Sequence, residues 1–415
     1  MRKPILKRLS VEQLGPIRSA DVEFGDLSIL VGPQATGKSI FLQTLKLLID
    51  RDQIHDMFAR HNLSFDDRGG AFFDAYYGRG IANGWETTCR IMLNGKPVDV
   101  GALTRTTKSR TRHERLFYIP AQRVMSLPGG VSQNFGTFNF GDPYALRAFS
   151  DAIHDLIQNE FAAKGELFPS SSRLNATLAK PVSEHLFGGA RLVMDESDFI
   201  KRLALQVPGN PQPLSFLSWS AGQREFTPML MGLYWLCSLA STRRAESVCA
   251  HAVEWVVIEE PEMGLHPKGI EVVLLLVLDL LRRGYRVVLS THSPVVLELV
   301  WALQEFKKLN ASESSVRRVF GLPSVPVAKE LASTALAKDL RVYFFDRQGS
   351  VSDISALDPG AEHRAEAEWG GLVGFSSLVH TEIARAVNAA DMKGRGLGGT
   401  AVQPSNVRRQ STSVG

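Results

Sequence analysis

The chain has 415 residues, of which 44% are hydrophobic and 22% charged, and this composition excludes a disordered or fibrous state for most of it. Its net charge of +4 permits a nucleic-acid partner but does not require one. The three cysteines lack the CxxC spacing of a zinc site and the pattern of a disulfide framework, so we expect a reducing, cytoplasmic location.

The first elements predicted along the chain are two strands and a helix. Residues 17–24 and 27–31 have strand patterns separated by a turn-prone Gly-Asp pair. Residues 39–48 carry apolar side chains at helical spacing, and a glycine-rich turn precedes them. The order strand, loop, helix is the context that a phosphate-binding loop requires. Residues 50–115 show no long period and are interpreted as a variable insertion.

The rest of the chain alternates strands with helices. Strands are predicted at 116–119, 191–194, 203–207, 255–258, 286–290, 341–345 and 350–354, and helices at 142–161, 225–240, 270–283 and 327–338. This alternation indicates a mainly parallel sheet covered by helices on both faces. The apolar helix at 270–283 contains Asp279 and is too short to cross a membrane. Residues after 393 are rich in Gly, Ser and Arg, so we expect a disordered tail.

The glycine-rich turn after residue 31 matches the GxxxxGKS pattern at every position. Its residues are Gly32, Pro33, Gln34, Ala35, Thr36, Gly37, Lys38 and Ser39. The glycines allow backbone N–H groups to wrap phosphate oxygens, the Lys38 ammonium reaches the β and γ oxygens, and the Ser39 hydroxyl ligates Mg²⁺. The alternative is a simple surface turn, which the flanking strand and helix disfavour.

Two later strand ends carry polar side chains that fit the same chemistry. The strand at 255–258 ends in Glu259 and Glu260, whose side chains should point differently, so that one can face Mg²⁺ and the other an attacking water. The alternative is a pair of solvated carboxylates. The strand at 286–290 leads to His292, which we predict lies near a γ-phosphate, although a lone histidine is more often structural.

In type and order these motifs resemble those of ABC-type ATPases. Among these ATPases, the resemblance is to the OLD-like branch, which is related to SMC heads. The stretch 218–225 resembles the signature loop that opens a helix, with Ala221 in place of a customary glycine. The stretch 260–267 resembles the LHP-containing segment of the OLD-like branch, and 291–294 resembles its switch-histidine motif. The resemblance covers residues 1–300.

The resemblance implies a role for each motif residue. ATP would be bound by the phosphate loop with Ile40 and by the signature residues, catalysis would involve Glu260, His292 and Lys38, and Mg²⁺ would be held by Ser39, Gln122 and Glu259. The signature residues are Ser220, Ala221, Gly222 and Gln223. Glu259 stands where aspartate is usual in transporters, and Gln34 where asparagine is common, but neither change removes a required group.

The resemblance also implies the architecture. We expect an α/β P-loop NTPase fold of ABC-ATPase type, in which a mixed or parallel sheet flanked by helices is joined by an antiparallel β-subdomain and a helical insertion. The ATPase domain would span 1–300 with a lid region at 124–215, followed by an accessory module at 301–392 and the tail at 393–415. A Toprim nuclease domain is not expected, because no DxD with an upstream glutamate follows His292.

Because the chain has one phosphate loop and one signature, the resemblance implies a head-to-tail homodimer around two ATP molecules. Hydrolysis would then control a separately encoded effector or a DNA transaction, in antiphage defence or genome maintenance, and the dimers could build larger oligomers. One alternative is the energy subunit of a membrane transporter, which the LHP segment and Glu259 disfavour. A catalytically silent scaffold is a second alternative, which the intact Lys38 and Glu260 disfavour. We expect no membrane partner.

Two further features have open interpretations. The basic run at 108–115 could bind DNA phosphates, but such runs are more often solvated loops. Trp369 could dock a partner, but a packed tryptophan is the favoured interpretation.

Overall fold

The computed structural model describes residues 6–65, 69–81, 88–105, 113–161, 166–170, 173–196, 200–237 and 253–396. Its strands are β1 (Arg8–Leu14), β2 (Ile17–Glu23), β3 (Leu27–Val31), β4 (Arg90–Leu93), β5 (Lys96–Pro97), β6 (Leu116–Ile119), β7 (Glu166–Phe168), β8 (Arg191–Asp195), β9 (Arg202–Gln206), β10 (Leu214–Ser215), β11 (Trp255–Glu259), β12 (Arg286–Thr291), β13 (Leu340–Phe345) and β14 (Val351–Asp353). Its α-helices are α1 (Lys38–Arg60), α2 (Gly69–Tyr77), α3 (Val100–Leu103), α4 (Tyr144–Leu156), α5 (Ala176–His185), α6 (Ala221–Leu236), α7 (Pro267–Arg282), α8 (Pro294–Lys308), α9 (Glu313–Val319), α10 (Pro326–Ala337), α11 (Arg364–Ala367) and α12 (Gly374–Gly396).

The central sheet has the strand order β14-β13-β3-β12-β11-β6. β13, β3, β12, β11 and β6 are parallel to their neighbours, and β14 runs antiparallel along the edge. The carboxyl ends of the parallel strands therefore lie at one edge of the sheet, where ligands bind in open α/β folds. The predicted parallel sheet and the predicted strands that form it are confirmed.

The strands of this sheet are apolar at almost every position because both faces are covered. In β11, Val256 and Ile258 pack into one core with α7, whereas Trp255 and Val257 pack into a second core with α1. Alternate residues of a strand point to opposite faces, so a continuous apolar run serves two cores at once. This arrangement holds the strand ends rigidly beneath the candidate site.

The other two sheets are antiparallel and have four strands each. One has the order β2-β1-β4-β5, so part of the segment 50–115 completes the amino-terminal sheet. The other has the order β10-β9-β8-β7 and precedes α6 along the chain. The expected antiparallel β-subdomain is therefore present.

The central sheet continues past residue 300, the predicted end of the ATPase domain. β13 pairs in parallel with β3, with Val342 opposite Ile29. The same part of the chain contains Trp369, which is 9% exposed and whose indole N–H donates to the Leu357 carbonyl at 3.1 Å. The favoured interpretation of a packed Trp369 is confirmed, and the segment 301–392 shares the sheet of the ATPase domain.

Two secondary-structure predictions need correction, and others lie outside the described residues. The sequence predicts no helix between 161 and 225, but the structure contains α5 there, which begins after the Asn175 cap and includes Pro181. The predicted tail begins at 393, whereas α12 extends to Gly396. Residues 397–415, 108–112 of the basic run, and Cys249 lie outside the described residues. No described helix is both long and apolar enough to span a membrane.

A buried charge network joins α1 to the start of β6. The Lys46 ammonium binds Asp50 Oδ2 at 2.8 Å, Glu114 Oε2 at 2.8 Å and the Leu116 carbonyl at 2.7 Å. The Asp50 carboxylate also accepts the backbone N–H groups of Arg115 and Leu116, at a point where α1 is kinked. Every charge is thus paired, which is the condition for tolerating charges in a protein interior.

We expect Asp50→Ala to lower the free energy of unfolding by about 3–5 kcal/mol, because it leaves the buried Lys46 charge without its main partner. Denaturant-induced unfolding followed by circular dichroism measures the change. Glu254→Ala is the control, because Glu254 pairs with Arg115 at the surface and should contribute less than about 1 kcal/mol. If both variants lose less than about 1 kcal/mol of unfolding free energy, the network does not stabilise the fold.

Candidate active site

The predicted site residues meet in a cleft at the carboxyl edge of the central sheet. The cleft has a volume of about 360 Å³. Its lining comprises Pro16, Gln34, Ala35, Thr36, Gly37, Lys38, Ser39, Ile40, Glu260, Ser290 and His292. The loop after β3 and the segments after β11 and β12 supply most of these residues. Three segments that are far apart in sequence thus form one site.

The phosphate loop has a backbone that only glycine permits at two positions. Gly32 has φ 143°, and a Cβ added there would lie 2.2 Å from the Phe345 carbonyl oxygen at the end of β13. Gly37 has φ 95°, and its Cβ would lie 2.6 Å from Ile17 Cγ1. Close approach of β13 and of the amino-terminal sheet therefore fixes the loop from two sides.

Lys38 is held over the loop by backbone carbonyls. Its Nζ donates to Gly32 O at 2.8 Å and to Pro33 O at 2.7 Å, and the residue is 6% exposed. Burial lowers the pKa of Lys38 to about 8, while the carboxylates of Glu260, Glu259 and Glu262 oppose this shift. Lys38 also begins α1, so the positive end of the helix dipole adds to its charge. The result is an anion-binding site at the floor of the cleft.

Glu259 provides a buried carboxylate that fits a divalent cation. It is 2% exposed, and its Oε2 accepts the Ala121 N–H at 3.2 Å. Its Oε1 is buried without a hydrogen-bond partner among the described residues. Burial raises the pKa of Glu259, and the Ser39 side chain opposes the shift. A hard cation with oxygen ligands, such as Mg²⁺, would satisfy the unpaired oxygen and favour the charged form.

Glu260 follows Glu259 but points into the cleft, as the sequence predicts for adjacent residues at a strand end. Its backbone is left-handed with φ 43°, and its N–H donates to the Ser290 carbonyl at 2.8 Å. The carboxylate is 34% exposed and lies 3.7 Å from His292 Nε2. Burial and the nearby Lys38 charge lower the pKa of His292, so its ring is neutral at pH 7 and can donate one hydrogen bond.

The signature residues lie outside this cleft. Ser220 caps α6 by accepting the Gln223 N–H at 3.2 Å, and the Gln223 side chain accepts the Ser220 N–H at 3.0 Å. Ser220 and Ala221 are exposed, so the positive end of the α6 dipole faces solvent. Gly222, in contrast to these exposed residues, packs against the protein, because an added Cβ would lie 2.8 Å from the Gly264 carbonyl oxygen. That contact joins the signature loop to the segment after Glu260.

Gln122 is exposed and does not line the cleft. Its neighbour Ala121 contacts Glu259 instead, through the backbone N–H. The predicted magnesium contact of Gln122 therefore stays a prediction, whereas Ser39 and Glu259 lie together.

Comparison with known proteins gives one family match. Residues 140–298 match the sequence profile of a family described as "AAA domain, putative AbiEii toxin, Type IV TA system". The matched range includes α6, Glu259, Glu260 and His292, and the phosphate loop with its strand and helix completes the set. Over the matched range the chain is similar to this family. No curated protein matches the chain.

Among solved structures, the chain is weakly similar to an SMC head bound to the C-winged helix domain of ScpA, with 11% identity, 84% of this chain and 97% of that chain covered, and a TM-score of 0.39. It is also similar to the SMC head domain from Thermotoga maritima, with 14% identity, coverages of 71% and 91%, and a TM-score of 0.32. A dimeric bacterial ABC transporter cassette gives 10% identity, coverages of 83% and 98%, and a TM-score of 0.33. No functional conclusion follows from these weak likenesses.

Near the cleft lie two side chains to which the sequence analysis gives no role. Glu262 Oε1 accepts the Thr291 hydroxyl at 2.9 Å and also the His292 N–H, so it fixes the backbone that presents the histidine. His266 of the LHP segment caps α7 by accepting the Lys268 N–H, and Pro267 is the first residue of that helix. The S-x-x-Q capping box at Ser220 could have located the start of α6 at 221 rather than 225. Nothing local in the sequence indicates the contact of Glu262.

Proposed function

We propose that this chain is an ATP-hydrolysing switch whose active form contains two chains and two ATP molecules. The observation that carries the proposal is a split arrangement of functional groups. Lys38, Glu260 and His292 line one cleft, whereas Ser220 is exposed at the start of a helix elsewhere on the surface. An exposed anion-binding helix end that lies apart from the phosphate loop of its own chain suits completion of the site by a second copy.

Within one chain, the phosphate loop would bind the triphosphate. The backbone N–H groups of residues 34–40 and the Lys38 ammonium would contact the β and γ oxygens. Ser39 and Glu259 would hold Mg²⁺, with Gln122 as a further proposed ligand. When bound, the ion would neutralise charge on the phosphate oxygens as the γ-phosphate is transferred.

Hydrolysis would be in-line attack by water on the γ phosphorus. The water oxygen forms a bond to phosphorus while the bond to the β,γ-bridging oxygen breaks, and ADP is the leaving group. Glu260 would accept the proton of the water, because its carboxylate is the accessible one of the pair. The neutral His292, whose Nε2 lies 3.7 Å from the Glu260 carboxylate, would donate a hydrogen bond to a γ oxygen.

The second chain would complete the site with its signature loop. The Ser220 hydroxyl and the first N–H groups of α6, from Ala221 and Gly222, would bind the γ-phosphate held by the partner. Gln223 would support this loop through the capping box. Because ATP would bridge both chains, its binding stabilises the dimer and its hydrolysis releases the dimer.

The proposed role of the switch is control of a separately encoded effector or of a DNA transaction, in antiphage defence or genome maintenance. The description of the matched family names a toxin of a type IV toxin-antitoxin system, and this supports a defence role over a housekeeping one. A dimer of this kind could also assemble into larger oligomers. Duplex DNA and the effector would act on the rate of ATP hydrolysis, since partner binding and the ATP state are linked.

We expect the purified protein to hydrolyse ATP only when Mg²⁺ is present, and Lys38→Ala to lose ATP binding by at least about tenfold because the buried ammonium is removed. Phosphate release with and without duplex DNA measures the activity, and a fluorescent ATP analogue measures binding. Lys268→Ala, which changes an exposed lysine on α7, is the control. Equal binding by Lys38→Ala and the wild type would refute the site.

A further inference from the structure

Arg123 is a buried arginine next to Gln122, and neither the motifs nor the proposed reaction assigns it a role. It is 0% exposed. Its guanidinium donates four hydrogen bonds to backbone carbonyls: Nη1 to Pro120 at 3.3 Å and to Glu259 at 2.9 Å, Nη2 to Glu260 at 3.1 Å, and Nε to Glu225 at 3.1 Å. All three guanidinium nitrogens are therefore used.

These four carbonyls belong to three separate segments of the site. Pro120 follows strand β6, Glu225 lies in the first turns of the signature helix α6, Glu259 ends β11, and Glu260 follows it. A planar fork of five N–H donors can span such a set, whereas the compact ammonium of lysine cannot. The half-buried Glu225 carboxylate lies near the same guanidinium. The carboxylates of Glu262, Glu260 and Glu259 also offset its positive charge.

The contact with Glu260 falls on a strained residue. Glu260 has φ 43°, in the left-handed region that residues with a Cβ adopt only when their surroundings impose it. Its N–H is fixed by Ser290 O and its carbonyl by Arg123 Nη2. Loss of the second bond would allow the peptide to relax and swing the carboxylate away from the phosphate loop.

We propose that Arg123 is a positioning residue that holds Glu260 in its hydrolytic orientation and ties that orientation to the position of the signature helix. The proposal rests on the function proposed above, in which Glu260 accepts the proton of the attacking water. Because α6 would contact the nucleotide of the partner, Arg123 would make catalysis in one chain depend on ATP held by the other.

Arg123→Lys tests this proposal, with Arg286→Lys as the matched control. Arg286 also donates to two backbone carbonyls, those of Leu6 and Phe24, but it lies at the opposite end of β12 from His292. We expect Arg123→Lys to bind ATP within about threefold of the wild type and to lose about 100-fold in kcat, as a displaced catalytic group does. Arg286→Lys should change neither quantity.

Three outcomes would overturn the proposal: a kcat of Arg123→Lys within threefold of wild type, a parallel loss of kcat and of ATP affinity, or an equal loss of kcat in Arg286→Lys. The second and third would indicate general structural support. Glu260→Gln is measured in the same series. If Glu260→Gln retains full activity, Glu260 is not the base and the proposed function is rejected whatever Arg123→Lys does. The amide hydrogen exchange described next then tests whether Arg123 couples the two segments.

Amide hydrogen exchange of the wild-type protein gives a test that needs no variant to fold. On addition of ATP and Mg²⁺, we expect the amides of residues 224–227 and those of Glu259, Glu260 and Glu262 to become protected together, since one side chain joins the two segments. Protection of the first segment with unchanged exchange in the second would contradict the coupling.

Discussion

Replacing Glu260 with glutamine is expected to lower kcat for ATP hydrolysis by roughly 100-fold or more, because the amide cannot accept the proton of the attacking water. The substitution keeps the shape of the side chain and the backbone bonds to Ser290 and Arg123. ATP binding should therefore persist, and the variant should accumulate as an ATP-bound dimer. Phosphate release and light-scattering mass with ATP and Mg²⁺ measure the two effects.

Glu271→Gln is the control for this experiment, because Glu271 is a glutamate on α7 that pairs with Lys268 away from the cleft. It should hydrolyse ATP at the wild-type rate and show no trapped dimer. If Glu260→Gln turns over like Glu271→Gln, then Glu260 is not the base and another carboxylate of the cleft must be considered.

The second large effect is expected from Ser220→Asp. Aspartate is as good a helix cap as serine, so the free energy of unfolding should change by less than about 0.5 kcal/mol. A negative charge at this exposed position would, however, face the γ-phosphate of the partner. Juxtaposed like charges cost several kcal/mol, so ATP-dependent dimerisation should weaken by on the order of 100-fold or more.

Ser220→Asn separates the charge from the loss of the hydroxyl, since asparagine is an equally good cap without the charge. Sedimentation velocity in ATP and Mg²⁺ should show far more dimer for Ser220→Asn than for Ser220→Asp. Equal dimerisation of the two variants would mean that the signature loop does not approach a phosphate.

Much of the site could be predicted because its signals are local. The GxxxxGKS string lies between a buried strand and a helix, and both are where the sequence places them. Glu259, Glu260 and His292 each follow an apolar strand, and parallel strands bring their carboxyl ends to one edge. Local pattern and sheet geometry together therefore place the catalytic candidates in one cleft.

Other features depend on contacts between distant parts of the chain. The pairing of β13 with β3 joins residues more than 300 apart in the sequence, and it explains why Gly32 lies against the Phe345 carbonyl. The four acceptors of Arg123 are backbone carbonyls, which carry no sequence signal. The helix α5 was missed because Pro181 lies inside it, although the Asn175 cap and the spacing of Leu178 and Val182 were available.

The central claim is that each active site combines the phosphate loop of one chain with the signature loop of another. Mixing Lys38→Ala with Ser220→Asp tests it most directly, because each variant alone has two defective sites in its dimer. Only the mixed dimer has an intact site, which combines Lys38 of one chain with Ser220 of the other, so ATP hydrolysis in the mixture should clearly exceed the sum of the two separate variants. Activity no higher than the sum of the two separate variants would contradict the claim and indicate that each chain works alone.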